Sequence, residues 1–257
     1  EIAENFGRHI AEIIHAPDFR TGVKGATLEY DQAQRAKSYQ HSPAIYVGAH
    51  LGSWELGPLA FERLGQQLTV VYSQDKNSAT EKAMRALRRK IGGRYLAKSD
   101  GAKPIIDTLS QGKSVAFLVD QRVDSGLEVD FFGRRSVMTR FPARMAIKFA
   151  CPIIPFEVIR TAPGHLRVVL LDPIMPFDHQ GEKSEMELTQ RMAHSIQASI
   201  ERNRNTWFCH TRRWKDREIK TTSAERGIRL ASLVRPADDP AVRAAEASEG
   251  PRSATSK

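Results

Sequence analysis

The chain has 257 residues, enough for one large domain with a real core, and its 39 Lys and Arg against 30 Asp and Glu give a formal net charge of +9. A balance this basic points to a polyanionic partner, whether nucleic acid, an anionic membrane face, a phosphorylated lipid or an acidic carrier protein. No run of 18 apolar residues is present to cross a bilayer, no signal peptide is evident, and Cys151 and Cys209 follow neither metal nor disulfide spacing, which favours a reducing compartment.

Residues 1–16 predict an amphipathic helix, with Ile2, Phe6, Ile10 and Ile13 or Ile14 at helical spacing. A second, polar-faced helix is expected over 31–39, then a strand, AIYVGA (44–49), and a helix over 56–65 closed by Gly65. LTVVYS (68–73) reads as a strand, and 77–91 as a basic helix carrying Lys82, Arg85, Arg88, Arg89 and Lys90. A short helix from Ala102 to Ser110 and the strand SVAFLVDQ (114–121) precede an expected long loop over 123–140. Pro142 suits the first turn of a helix running to about Phe149. PIIPFEVIR (152–160) and LRVVLLDP (166–173) predict strands, and 183–203 a long helix. The alternation argues for an α/β fold with a mainly parallel central sheet flanked by helices. Residues 218–257 are rich in Ala, Ser, Arg, Glu and Pro and are expected to form a disordered tail beyond a domain over 1–217.

The chemistry concentrates in Ala44–Pro58, AIYVGAHLGSWELGP. An apolar strand runs into a Gly-rich turn carrying His50, and a helix start carries Glu55. Open α/β sheets bind their ligands at this carboxyl edge. Across the turn, the helix start can fold its carboxylate back toward the imidazole. Such a pair suits removal of a proton from a hydroxyl, with His50 as base and Glu55 as the partner that fixes its tautomer. A Glu in a first helical turn is also favoured by the helix dipole alone. Asp120, Gln121 and Arg122 end a strand expected beside the one leading to His50, although Asp120 also suits a simple turn cap. Arg134, Arg135 and Arg140 follow Phe131-Phe132 in the expected loop and have the chemistry to bind phosphate, or they are a solvated basic loop over two core aromatics. Arg202, Arg204, Arg212, Arg213 and Lys215 surround Trp207, Phe208 and Trp214, which read either as an interfacial belt or as core.

VGAHLGSWELGPLA resembles the His-x4-Asp/Glu block of the bacterial lipid A biosynthesis acyltransferases, within the glycerolipid acyltransferase superfamily, with Ser53 where Asn is usual. Four further segments resemble that family in order: AFLVDQR (116–122), VDFFGRR (129–135), FPARMAIKFACPIIPFEVIR (141–160) and RNTWFCHTRRWK (204–215). The resemblance covers residues 1–217 and implies transfer of a fatty acyl group from acyl carrier protein, or coenzyme A, to a hydroxyl of a lipid A precursor. His50 and Glu55 would be catalytic, and Asp120, Gln121, Arg122, Arg134, Arg135 and Arg140 would bind substrate. No metal or other cofactor is expected. The family also implies a membrane helix upstream of Glu1 and a location on the cytoplasmic face of a Gram-negative inner membrane, against anionic lipid.

The Glu-Gly-Thr motif of the superfamily's glycerolipid members is absent, which favours a saccharolipid acceptor over glycerol 3-phosphate. A phosphatidylinositol mannoside or an ornithine-type lipid is the alternative acceptor. The oxyanion donors expected from sequence are backbone amides of the Gly133–Arg135 turn or a nearby Arg. Nucleic-acid binding lacks zinc-finger spacing, an aromatic RNA-binding block or a recognition helix, and a hydrolase lacks both the Gly-x-Ser-x-Gly elbow and a His-Glu-x-x-His helix.

Overall fold

A computed structural model of the chain describes residues 2–32, 37, 39, 42–176, 182–209 and 213–214. The expected tail over 218–257 and most of the expected helix over 31–39 lie outside the described residues.

Seven strands form one sheet in the order β1-β9-β8-β2-β5-β3-β4. They are β1 (Thr27–Asp31), β2 (Ile45–Gly48), β3 (Thr69–Tyr72), β4 (Arg94–Ala97), β5 (Val115–Leu118), β8 (Ile153–Ala162) and β9 (His165–Leu170). Every neighbouring pair is parallel except β8 and β9, which form an antiparallel hairpin. The mainly parallel sheet expected from the alternation is therefore present. The edge strands β1 and β4 add to it, and both are short and partly exposed.

The 123–140 segment is a correction. It is an antiparallel hairpin, β6 (Leu127–Phe131) and β7 (Arg134–Met138), rather than a loop. Leu127, Val129 and Phe131 alternate with exposed residues along β6, and the turn places Phe132 and Gly133 at positive φ. Period-two burial of this kind is what a hairpin lying on a core requires.

The helices are α1 (Ile2–Ile14), α2 (Ala16–Thr21), α3 (Gly57–Arg63), α4 (Ser78–Ile91), α5 (Lys103–Ser110), α6 (Phe141–Phe149) and α7 (Glu182–Arg202). They cover both faces of the sheet. On one face Ile45, Val47, Val115 and Ile153 pack with Met145 of α6 and Met192 of α7. On the other, Tyr46, Ala116 and Ile154 pack with Ile13 of α1, Phe19 of α2 and Phe61 of α3. Because both faces are covered, β2 is buried at all four positions, and it reads as a continuous apolar run.

α1 lies against the far end of β8 and the turn after β2. Glu12 accepts from the Ser53 hydroxyl and from Arg160 of β8, whose second bond is 2.8 Å long. His9 stacks on Trp54 at 3.7 Å, and Phe6 on Phe208 at 4.9 Å. Among the described residues, no helix is long and apolar enough to cross a membrane.

Candidate active site

The site begins where β2 ends. A side chain at Gly48 would place its Cβ 3.1 Å from the ring of Phe156 and 3.3 Å from Leu118, a crowding that glycine relieves where the strand leaves the sheet. Gly52 follows at φ +53, where a Cβ would stand 2.4 Å from the carbonyl oxygen of Val158. Between them, His50 is held by its own backbone. The His50 carbonyl accepts from Phe208 N at 2.8 Å, and Gly52 N donates to Thr206 O at 3.2 Å. A segment more than 150 residues downstream thus completes the turn.

β5 is one of the two parallel neighbours of β2, with Gly48 opposite Leu118. Two residues further along each chain, that register sets His50 beside Asp120. The imidazole Nδ1 is 2.7 Å from Asp120 Oδ1, and the His50 amide donates to Oδ2 at 3.1 Å. Trp207 Nε1 donates to the same Oδ2 at 2.9 Å. Asp120 is 2 % exposed. Burial alone pushes its pKa up, but the His50 charge and the hydrogen bonds from His50 and Trp207 outweigh burial and leave it below the usual carboxylate range. An ionised carboxylate at Nδ1 holds the proton on that nitrogen, so Nε2 presents a lone pair to the cavity.

Glu55 does not take part in this pair. It sits on the 3₁₀ turn Trp54–Leu56, which carries it toward α4, where Arg88 donates to it at 2.7 and 3.3 Å. The Arg88 guanidinium lies over the Tyr72 ring at 4.4 Å. The expectation that Glu55 fixes the His50 tautomer is therefore corrected. Strand register brings Asp120 to the imidazole, and a bidentate arginine satisfies Glu55.

A cavity of about 600 Å³ opens in front of the pair. His50, Glu55, Arg88, Gln121 and Arg122 supply its polar wall, and Gln121 Nε2 stands 3.4 Å from His50 Nε2. Leu68, Val70, Ala116 and Phe156 form one apolar side, and Val71, Ile105, Phe117 and Phe141 another. The volume and the apolar lining with a few convergent polar groups fit a small-molecule site.

Other candidates from the sequence stand apart. Arg135 pairs with Glu128 across the hairpin at 2.7 Å in the open, and Arg134 lies 5.2 Å over Trp214. Arg140 stands 3.6 Å from Glu185 of α7. None of the three lines the cavity. Phe131 is fully buried, and Phe132 stacks with Trp207 at 5.9 Å, so this aromatic group is packed against the core. Arg213 is buried over the Phe131 ring at 4.7 Å and donates to Ser136 and Val137 O rather than to solvent. Arg212 and Lys215 lie outside the described residues. Arg88 and Trp207, the partners that hold Glu55 and Asp120, lie 33 and 87 residues from them, and no local spacing announces either. Among the described residues, no group of three His, Cys, Asp or Glu side chains is placed to hold a metal.

The chain is 24% identical over 160 residues, 61% of its length, to the lipid A biosynthesis myristoyltransferase of Escherichia coli K12, covering 48% of that protein. It is 26% identical over 135 residues, 51% of its length, to lipid A biosynthesis acyltransferase 2 of Shigella flexneri, covering 42% of it. It is also 26% identical over 165 residues, 59% of its length, to the phosphatidylinositol mannoside acyltransferase of Mycobacterium tuberculosis, covering 51% of it. The chain thus spans about half the length of the curated relatives it matches. The bacterial lipid A biosynthesis acyltransferase family matches over residues 1–216, a span that takes in both sheets, the His50 turn and the segment that closes it, and the chain belongs to that family.

Proposed function

We propose that this protein transfers a fatty acyl group from an acyl thioester to a hydroxyl of a lipid A precursor, with His50 as general base and Asp120 as the group that orients it and stabilises the imidazolium that forms. The observation that carries the reading is the buried Asp120 at Nδ1 of a His50 that lines a cavity with two apolar sides and a polar wall. The acceptor O–H lies against Nε2 and gives up its proton as its oxygen attacks the thioester carbon. The C–S bond of the tetrahedral adduct then breaks, and the thiolate recovers the proton from the imidazolium. No acyl-enzyme is needed. The Cys151 thiol is buried in the core and pushed up to about 12 by burial, which leaves it a poor nucleophile.

The apolar sides of the cavity take the acyl chain. The Glu55–Arg88 pair at the polar wall offers hydrogen bonds to the acceptor head group. Acyl carrier protein is the donor partner, drawn to the exposed cations Lys82, Arg89 and Lys90 of α4, with coenzyme A as the alternative carrier. The protein works at the cytoplasmic face of the inner membrane. The exposed Phe6 and Ile14 of α1 and the basic net charge suit contact with anionic lipid, where each nearby cation contributes about 1 kcal/mol.

The test is product mass. The protein in lipid vesicles is incubated with mixed acyl carrier protein thioesters and a tetra-acylated lipid A precursor, beside His50→Ala and beside a phosphatidylinositol mannoside acceptor. A gain of one acyl group on the lipid A precursor, lost in His50→Ala, is expected. A gain on the mannoside alone replaces the acceptor and keeps the chemistry, in line with the mycobacterial relative. Full activity in folded His50→Ala overturns the mechanism.

A further inference from the structure

Acyl transfer places negative charge on the thioester carbonyl oxygen, and the structure offers donors for it at one turn of the chain. Gln121 Nε2 is 3.4 Å from His50 Nε2, the nitrogen to which the attacking hydroxyl must come. Arg122 follows in sequence and lines the same cavity. Among the described residues its buried Nε has no hydrogen-bond partner, and its Nη2 makes a 3.4 Å contact to Asp124, a side chain 99 % exposed. A buried guanidinium N–H without an acceptor is costly, and a substrate oxygen that fills the position removes the cost.

The neighbouring acceptor is already occupied. The two oxygens of Asp120 take three bonds, from the His50 ring, the His50 amide and Trp207, so Asp120 is not the missing partner of Arg122. At the hairpin turn, the Gly133 amide, one of the donors expected there, is committed to Asp130 at 3.0 Å, and the amide of the preceding Phe132 to Gln197 at 2.7 Å. Gln121 and Arg122 therefore stand out: one amide N–H at the base, and, on the next residue, whose side chain lines the same cavity, one buried guanidinium N–H without an acceptor among the described residues.

We infer that Gln121 Nε2 and Arg122 Nε form the oxyanion site, both donating to the carbonyl oxygen of the acyl thioester. The inference rests on the acyl-transfer reading above. As the hydroxyl oxygen bonds to the carbonyl carbon, the π pair moves onto the carbonyl oxygen, and the hydroxyl proton moves to His50 Nε2. The two N–H groups hold that oxyanion until the C=O bond re-forms, the C–S bond breaks, and the proton returns to the departing sulfur. In the free protein Gln121 lies at the Nε2 lone pair, and the hydroxyl displaces it toward the carbonyl oxygen. Donors fixed in a water-poor site act more strongly on a developing charge than on the neutral carbonyl, so their effect falls on turnover more than on binding.

The experiment measures kcat and KM for wild type, Gln121→Ala, the near-isosteric Gln121→Met and Arg122→Met, each checked for folding by thermal melt. It adds the affinity of a thioether analogue that lacks the carbonyl oxygen. Gln121→Ala and Gln121→Met are expected to lower kcat by about 10²-fold, the usual effect of losing one such donor. KM and thioether affinity should stay within about twofold, and Arg122→Met should lower kcat in the same way. Gln121→Glu should move the acid limb of the pH–rate profile upward, because a carboxylate near Nε2 favours the imidazolium. A kcat within about threefold of wild type in folded Gln121→Met overturns the assignment. So does a loss confined to KM and thioether affinity. If wild type itself acylates no acceptor, the acyl-transfer reading fails, a result distinct from either of these.

Discussion

Asp120 and Glu55 are two carboxylates near one histidine, and their surroundings give them different work. Asp120 is enclosed, bonded three times and held below the usual carboxylate range, with the imidazole against one of its oxygens. Glu55 is largely buried against Arg88 and neutralised by it. Asp120→Asn should therefore cost turnover heavily, by about 10²-fold or more. The neutral amide no longer stabilises the imidazolium, and it can hold the ring in the wrong tautomer. Thermal stability in that variant should change far less than in Glu55→Gln. Loss of the Glu55 charge strands a partly buried guanidinium, at a cost of about 2 kcal/mol after allowance for its partial exposure. Paired melting curves and kcat values for the two variants check this. If Glu55→Gln loses more turnover than Asp120→Asn at equal stability, the roles are reversed.

At the scale of elements, α1 and the His50 turn behave as one unit. Trp54 is stacked between His9 and Phe208, and Ser53 is tied to Glu12. His9 is almost wholly enclosed, its Nδ1 has no partner among the described residues, and its pKa is pushed down to about 3 by burial and then by the charges of Arg160 and His50. Above pH 6.5, native and unfolded chains both carry neutral His9. Below it, the unfolded chain takes up a proton that the native chain refuses until about pH 3, so stability is lost as pH falls through that window. Between pH 7 and pH 5 this one residue should remove about 2 kcal/mol. His9→Phe should flatten that part of the stability curve by a similar amount, as read from urea midpoints at the two pH values. An unchanged slope would mean that His9 reaches solvent in the native state.

Across the whole molecule, the core wraps the site on two sides, and the part of it under α6 and α7 includes side chains that stay clear of the cavity. Met192 of α7 is fully buried on the sheet face packed by α6 and α7 and does not line the cavity. Met192→Ala should cost about 2–5 kcal/mol of stability while leaving the kcat of the folded fraction unchanged. Urea unfolding and an active-site-normalised rate test the two halves of that statement. The same division explains what could be read from sequence. β2 and β5 are short apolar runs bounded by turn residues, and their place in a parallel sheet was legible because both faces are buried. The β6–β7 hairpin carried its signal in the alternation of Leu127, Val129 and Phe131, which the polar residues between them obscured. β1 and β4 are edge strands, no shorter than β2 and β5 but partly exposed, so neither carries the continuous apolar run that marks those two. The His50 turn was legible because its glycines and its carboxyl-edge position are local. Its partner was not, because the register between β2 and β5, set by pairing across 70 residues, decides between Asp120 and Glu55.

The bond from Trp207 to Asp120, with Trp54 edge-on to His50 at 5.2 Å, places two of the three tryptophans of the chain against the same carboxylate–imidazole pair. An indole beside an imidazolium loses emission, and one whose N–H is bonded to a carboxylate shifts its spectrum when that charge is compensated. The protein therefore carries its own optical probe. Arrival of a proton on His50, or of a substrate that displaces Gln121 from it, is reported by the light the site emits, without a label and before any product forms.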